Sequence, residues 1–198
     1  MIIPAVGTLE IREYDQGWPD AFRDAAGRLR IALGENIDRI DHIGSTSVPG
    51  LASKDVIDIQ VSVEHGTGLD SVARVLAEAG WTLWRGIASD HAVPGSPPDE
   101  RAWRKVFLCE PPGYRRVNVH VRVVGQTNQR YPLLFRDYLR AHPHGAQAYA
   151  TLKKDLALLV PDDLDRYADV KDAACDLIYF AAEAWAQTIG WNPRRSDV

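Results

Sequence analysis

Short hydroxyls, a lysine and a carboxylate crowd into one run of this sequence: Gly44-Ser45-Thr46-Ser47-Val48-Pro49-Gly50-Leu51-Ala52-Ser53-Lys54-Asp55-Val56-Ile57-Asp58-Ile59-Gln60-Val61. Glycine lets backbone N–H groups come close to a ligand. The hydroxyls of Ser45, Thr46 and Ser47 add short donors, Lys54 adds a charge, and Asp58 can hold a cation. The combination reads as a phosphate or nucleotide site, with Gly44, Ser45, Thr46 and Lys54 as its binding residues. It does not by itself require that the ligand be turned over.

Two strands must position these groups. Val56–Val63 alternates, with Ile57, Ile59, Val61 and Val63 on one face and Val56, Asp58, Gln60 and Ser62 on the other. Arg116–Val124 alternates in the same way: Val117, Val119, Val121 and Val123 against Asn118, His120 and Arg122. If the two share a sheet, their apolar faces bury together. Asp58, Gln60, Asn118, His120 and Arg122 then share the opposite face, which is either one wet face of the sheet or the floor of a site. Asp55 is aimed away from it by the alternation.

The other elements follow from period and punctuation. Leu9–Tyr14 alternates like a strand, and Trp18-Pro19 opens a helix carrying Phe22, Ala26, Leu29 and Leu33 on one face. Ile37–Ile43 is a short strand entering the Gly44 loop. Leu69, Val72, Leu76 and Ala79 mark a helix, and Trp81–Ile87 and Trp103–Cys109 read as strands. Between them, Ala88–Glu100 holds Pro94, Gly95, Pro97 and Pro98 and reads as a loop and candidate lid. From Tyr131 the period becomes helical, with helices marked by Leu134/Tyr138, Ala148–Leu159 and Val170–Trp185, and a polar, frayed tail from Asn192. The expected fold is α+β in a single domain: a sheet-containing part over about 1–127 and a helical part over about 128–190.

Familiar phosphate and nucleophile motifs are absent. A P-loop needs G-x-x-x-x-G-K-[ST], but Gly44 and Gly50 are one residue too far apart and Leu51 follows the second glycine. Gly44-Ser45-Thr46-Ser47-Val48 is not a G-x-S-x-G elbow. Ser45, His120 and Asp58 compose a Ser/His/Asp set, as some trio does in most chains of this size. Trp81, Trp84 and Trp103 can stack on a base, although strand-core packing is their ordinary use.

His42-Ile43-Gly44-Ser45-Thr46-Ser47-Val48-Pro49-Gly50-Leu51, with Lys54 and Ile57-Asp58-Ile59, resembles the signature of the GrpB family. Later stretches match it in order: Asn118-Val119-His120-Val121, Leu134-Phe135-Arg136-Asp137-Tyr138-Leu139-Arg140, His142-Pro143, and Tyr149 with Leu152-Lys153. The resemblance runs from about Ile11 to Phe180 and implies a nucleotidyltransferase-like mixed sheet, with helices on one face and a helical C-terminal extension. In that superfamily an Asp-x-Asp pair and a third carboxylate bind two divalent ions beside a Gly-Ser loop. Aligned on Gly44-Ser45, the second aspartate falls on Asp58, the first on Val56, and the third carboxylate on His120. A lone carboxylate suits a Mg²⁺ pair poorly, whereas a His/Asp pair suits a transition metal. Alternatively Asp58 orients His120 as a general base. The resemblance therefore implies Asp58 and His120 as catalytic candidates and Asp58 as the metal ligand, while Lys54 and Arg122, by their charge, are either phosphate contacts or solvated surface groups. Lys153 and Lys171 fall where the family tends to keep lysine, and read first as a helix's wet face. Family members also occur fused to dephospho-CoA kinase, which points to nucleotide or coenzyme metabolism. The reading is a transferase-type protein acting on a nucleotide or phosphorylated small molecule, or a ligand-binding or regulatory module that kept the fold without the transfer.

Bulk properties set the outer limits. Across 198 residues, 45% hydrophobic and 25% charged residues are ordinary globular values, and the net charge of -4 argues against a general electrostatic grip on nucleic acid. The N-terminal residues lack a charged-then-apolar leader pattern. Ala173–Ala186, the most apolar long segment, is interrupted by Asp176 and Glu183, so no membrane span is expected. The two cysteines, Cys109 and Cys175, fit no zinc spacing and are expected as buried free thiols of a cytoplasmic protein.

Overall fold

A computed structural model describes residues 9–34, 37–96 and 99–198. Pro97 and Pro98 of the expected loop lie outside the described residues. In order, the elements are α1 (Trp18–Leu33), β1 (Arg39–Ile43), a one-turn 3₁₀ helix (Ser45–Ser47), β2 (Ile57–Val63), α2 (Leu69–Glu78) and β3 (Thr82–Leu83). A second 3₁₀ turn (Glu100–Trp103), β4 (Val106–Cys109), β5 (Val117–Val123), α3 (Thr127–Ala141), α4 (Pro143–Leu159) and α5 (Leu164–Ile189) follow.

The strands form one mixed sheet in the order β1-β2-β5-β4-β3. The two alternating strands are its centre and run parallel, with Asp58 opposite Asn118, Gln60 opposite His120 and Ser62 opposite Arg122. Their register puts both apolar sets on one side, as the alternation requires. There they bury Ile57, Ile59, Val61, Val117, Val119 and Val121 against Trp18, Phe22 and Leu29 of α1 and Val72 and Leu76 of α2. Trp18 carries Pro19 beside it at the start of α1, and its indole N–H donates to Asp55 at 2.9 Å. Asp55 thus points to the helix side, away from Asp58.

The helical extension does not stand aside from the sheet. α3 lies on the polar face of β1 and β5, and Gln60 donates to the Gln129 carbonyl at 2.9 Å while Gln129 donates to Ser62 Oγ at 3.2 Å. One end of the polar face is therefore covered, and the end carrying Asp58 is not.

Several expected elements are shorter or different. Leu9–Tyr14 has no neighbouring strand to continue a ladder; only Arg12 bridges Ser53, and Leu9 packs on Leu156 and Tyr167. The strand expected over Trp81–Ile87 pairs only at Thr82–Leu83, because Arg85–Gly86 turns the chain. Trp103 belongs to a 3₁₀ turn, and the strand after it starts at Val106. α5 begins at Leu164, before the first residue of the apolar period, with the Asp163 side chain accepting from the Arg166 N–H as its cap. The tail is held, not frayed: Ser196 and Asp197 bond the main chain of β1. Both cysteines are free and half-buried, not buried. Among the described residues no helix is long and apolar enough to cross a membrane.

Candidate functional site

The uncovered end of the polar face opens into a cleft of about 440 Å³ between the sheet, the Gly44 loop and the helices α3 to α5. Asp58 and its neighbours form one wall. Asn118 donates to Asp58 Oδ1 at 2.8 Å, and His120 Nε2 lies 3.7 Å from the same oxygen. Burial alone would push the Asp58 carboxyl up, but His120, Asn118 and the Lys54 charge outweigh it and hold the group below the ordinary carboxylate range. Its other oxygen sits against the loop: a Cβ built on Gly44 would come within 2.5 Å of Asp58 Oδ2.

The proton on His120 is assigned by its neighbours. Nδ1 lies 3.2 Å from an Arg122 guanidinium nitrogen and 3.4 Å from Lys105 Nζ, both donor-only groups. Nδ1 therefore accepts, and Nε2 carries its proton toward Asp58. Burial, then the charges of Lys105 and Arg122, lower His120 to about 4. At neutral pH it is an uncharged donor to Asp58, which does not suit the general-base role considered for it.

Arg122 lies on the expected face but is not free to hold a phosphate. Its Nε and one terminal nitrogen each donate to Asp90 at 2.8 Å, and its other terminal nitrogen donates to Gln60 at 2.8 Å. Lys105 Nζ donates to Asp90 at 2.6 Å, and Asn128 Nδ2 donates to Asp90 at 3.0 Å. Desolvation opposes the Asp90 charge, but Arg122 and Lys105 overcome it and hold the carboxyl far below the ordinary range. Asp90, on the loop read as a candidate lid, is thus the hub that ties that loop to the sheet. Thr46 is also spent: its buried hydroxyl lies 3.0 Å from His42 Nε2 and donates to the Val56 carbonyl at 3.3 Å.

Ser45 does reach the cleft, which Lys54, Lys153 and Lys171 line in addition to Lys105. Lys153 Nζ donates to Ser45 Oγ at 2.8 Å and to the Ala52 carbonyl at 2.5 Å. Lys54 stands over the Tyr167 ring at 5.1 Å, and its pKa is lowered by burial. Lys171 donates to Asp172 at 2.7 Å; burial opposes its charge, but Cys175 and Asp172 raise its pKa overall. Tyr131, Phe135, Tyr149 and Tyr167 supply aromatic wall, and of the three tryptophans considered for base stacking only Trp103 lines the cleft.

Asp90, Lys105 and the inward role of Lys153 were not read from the sequence. For Lys153 a signal exists: Ala146, Tyr149, Lys153 and Leu156 form one helical stripe, so this lysine falls on the buried face of α4. Asp90 has no such signal, because loop residues carry no period.

The donor set does not fit a pair of divalent ions. Among the described residues no three His, Cys, Asp or Glu side chains gather as a metal site. Asp55 is held by Arg12, Trp18 and Arg115 on the far side, and the residues aligned with the other two carboxylates are Val56 and His120.

A GrpB protein family model matches residues 8–180. The chain belongs to the GrpB family. A crystal structure of GrpB from Enterococcus faecalis superposes with a TM-score of 0.71 at 33% identity, covering 89% of this chain and 99% of that one. A UPF0157 protein, BH1888 of Halalkalibacterium halodurans, is 30% identical over 187 residues, 91% of this chain and 86% of its own. A dephospho-CoA kinase of Mycolicibacterium paratuberculosis is 35% identical over 192 residues, 90% of this chain but 47% of its own. The chain spans about half the length of the dephospho-CoA kinases it matches. The GrpB fold here is an α+β mixed sheet with a helical C-terminal extension.

Proposed function

We propose that the cleft binds the anionic group of a nucleotide or other phosphorylated small molecule, with lysines rather than a metal pair balancing its charge. One observation carries this reading: Lys54, Lys153 and Lys171 line a single cavity with Ser45, in a chain whose net charge is -4. A local excess of cations against an acidic background favours an anionic ligand. Aromatic walls suit the organic remainder of such a ligand. Gly44 and Ser45 edge the anion pocket, Lys54 and Lys171 supply charge, and Asp58 with His120 and Asn118 forms the polar wall facing it. Relatives named dephospho-CoA kinase match this chain over about half of their own length, and that name is in line with this ligand class. Their phosphoryl transfer is not assigned to this chain, whose sequence holds no G-x-x-x-x-G-K-[ST].

Calorimetric titration with ATP, GTP and dephospho-CoA, each with and without Mg²⁺ or Mn²⁺, tests the reading. Binding without metal is expected, weakened at least tenfold by Lys54→Met or Lys171→Met. No binding of any of the three at millimolar concentration overturns it. A tenfold or greater gain on adding metal, lost in Asp58→Ala, overturns the metal-free form and returns Asp58 to the role of metal ligand.

A further inference from the structure

We propose that Ser45 is a nucleophile with Lys153 as its general base, and that the cleft cleaves an activated carboxylic ester bearing an anionic group. This goes beyond ligand binding and rests on that reading only for the anion that docks the substrate.

A serine hydroxyl is a weak nucleophile until a base lies within hydrogen-bond reach and is itself held in place. Ser45 is half-buried and lines the cavity. Lys153 approaches the same oxygen from α4, 2.8 Å away, with only 2% of its surface exposed. The Ala52 carbonyl, 2.5 Å from Nζ, and the Tyr149 ring, 4.6 Å from it, fix the amine. Both described hydrogen-bond partners of Nζ are neutral, Ser45 Oγ and the Ala52 carbonyl; neither is a carboxylate. A lysine that only pinned the loop would keep its proton. Here burial, then the repulsion of Lys171 and Lys54, lower Lys153 to about 7, against the pull of Cys175 and Asp58. Asp172, paired to Lys171, Tyr149 on its own helix, and Tyr131 and Tyr167 are further titratable groups of the same cavity. A free amine keeps an N–H on Ala52 and offers its lone pair to the Ser45 hydroxyl. His120 cannot serve as the base, because its Nε2 bears the proton directed at Asp58.

The step balances with water as co-reactant. Ser45 Oγ attacks the ester carbonyl and its proton passes to Lys153 Nζ, while the carbonyl π pair moves onto oxygen. Collapse breaks the bond to the leaving alcohol, which takes the proton back from the Lys153 ammonium. Water then attacks the acyl-serine carbonyl and gives one proton to Nζ; collapse breaks the acyl–Oγ bond, Ser45 Oγ takes that proton back from Nζ, and the carboxylic acid leaves. Lys54 and Lys171 supply the positive field for the developing oxyanion and for the substrate's own charge.

Labelling of the full chain with a fluorophosphonate tests the nucleophile directly. Oγ attacks phosphorus, fluoride leaves, and mass spectrometry locates the adduct. One adduct on the Ser45 peptide is expected, forming at a rate that rises with pH through about 7 and then levels. Ser45→Ala is expected to give none, and Ser53→Ala, altered in the same cavity, to label as the parent does. Lys153→Arg is expected to label at least a hundredfold more slowly at pH 7.5. No adduct after hours at millimolar probe, an adduct elsewhere, or a flat profile between pH 6 and 9 overturns the proposal. The profile needs only the parent protein, so a variant that fails to fold leaves the test intact. A p-nitrophenyl ester with a terminal carboxylate tests the substrate class, and no Ser45-dependent release of nitrophenolate overturns that part. Nucleotide binding without labelling removes this inference alone; labelling without nucleotide binding removes the binding reading alone.

Discussion

Gly44 has a φ of 68° and a ψ of -173°, a backbone region open essentially to glycine. The Asp58 carboxylate lies against its Cα, so a side chain there would meet Asp58 Oδ2 at 2.5 Å and its Cβ at 3.0 Å. Gly44→Ala combines roughly 1–3 kcal/mol of backbone strain with roughly 1–3 kcal/mol of overpacking. Urea unfolding is expected to show a loss of about 2–6 kcal/mol; a change within the noise of a surface substitution would mean that the loop shifts freely. The glycine legible in the sequence as a ligand-approach residue is also what lets the Asp58 carboxylate sit where it does. A second expectation concerns the buried histidines. His120 titrates near 4 and His42, buried against Phe22 and Thr46, near 3, both below an unfolded value of about 6.5. Between those values the unfolded chain binds protons that the folded chain refuses, so stability falls as pH falls from 6.5 towards 4. Each histidine contributes a slope of up to about 1.4 kcal/mol per pH unit. Chemical denaturation at stepped pH is expected to show the decline starting near 6.5; a flat profile down to pH 5 would contradict the buried neutral state.

At the scale of elements, the loop between β3 and β4 is fastened to the sheet by one carboxylate. Asp90 accepts from Arg122, Lys105 and Asn128, and the neighbouring His91 reaches Asp176 of α5 at 3.0 Å. Asp90→Ala leaves two buried cations without their counter-ion, a loss of about 3–5 kcal/mol. Because the folded Asp90 titrates below its unfolded value, its contribution is complete above about pH 4 and is lost as pH falls below that. Thermal melts of the variant and the parent at pH 7 and pH 3 measure this: the gap between them should be large at pH 7 and narrower at pH 3. This is also where the sequence stopped being readable. β2 and β5 were legible because alternation is a local signal with a fixed period, and it placed Asp58, Gln60, Asn118, His120 and Arg122 on one face correctly. What occupies that face depends on residues brought from a loop without period and from α3. Arg122 therefore looked like a free phosphate contact, while its partner lay 32 residues away. Lys171 looked like a solvent-facing charge for a related reason: it faces a cleft whose other walls come from distant parts of the chain. Lys153 was legible in principle, because it shares a helical stripe with Ala146, Tyr149 and Leu156.

At the scale of the molecule, the sheet has its parallel pair in the centre and so has two edges to protect. β3 is only two residues long, and a short edge offers little to pair with. β1 is longer, and the last residues of the chain cover it. Ile40 N–H donates to Ser196 Oγ at 2.9 Å, Ser196 donates back to the Ile40 carbonyl at 2.9 Å, and His42 N–H donates to Asp197 at 2.9 Å. Asp197 also accepts from Arg136 at 2.8 Å, a guanidinium only 1% exposed that holds the His42 carbonyl at 3.0 Å. The strap thus reaches the strand that leads into the Gly44 loop. Deleting Asn192–Val198 frees three main-chain groups of β1 and removes a carboxylate from a buried arginine. At about 1 kcal/mol per hydrogen bond and more for the charged one, the loss should be about 2–4 kcal/mol. Amide exchange at Ile40 and His42 should accelerate well beyond what that global loss explains, because their donors become exposed. The bared edge should also pair with another copy, giving concentration-dependent association in sedimentation. Unchanged protection at both amides would show that the tail only rests on β1, and the edge would then have to be protected by its charged residues alone.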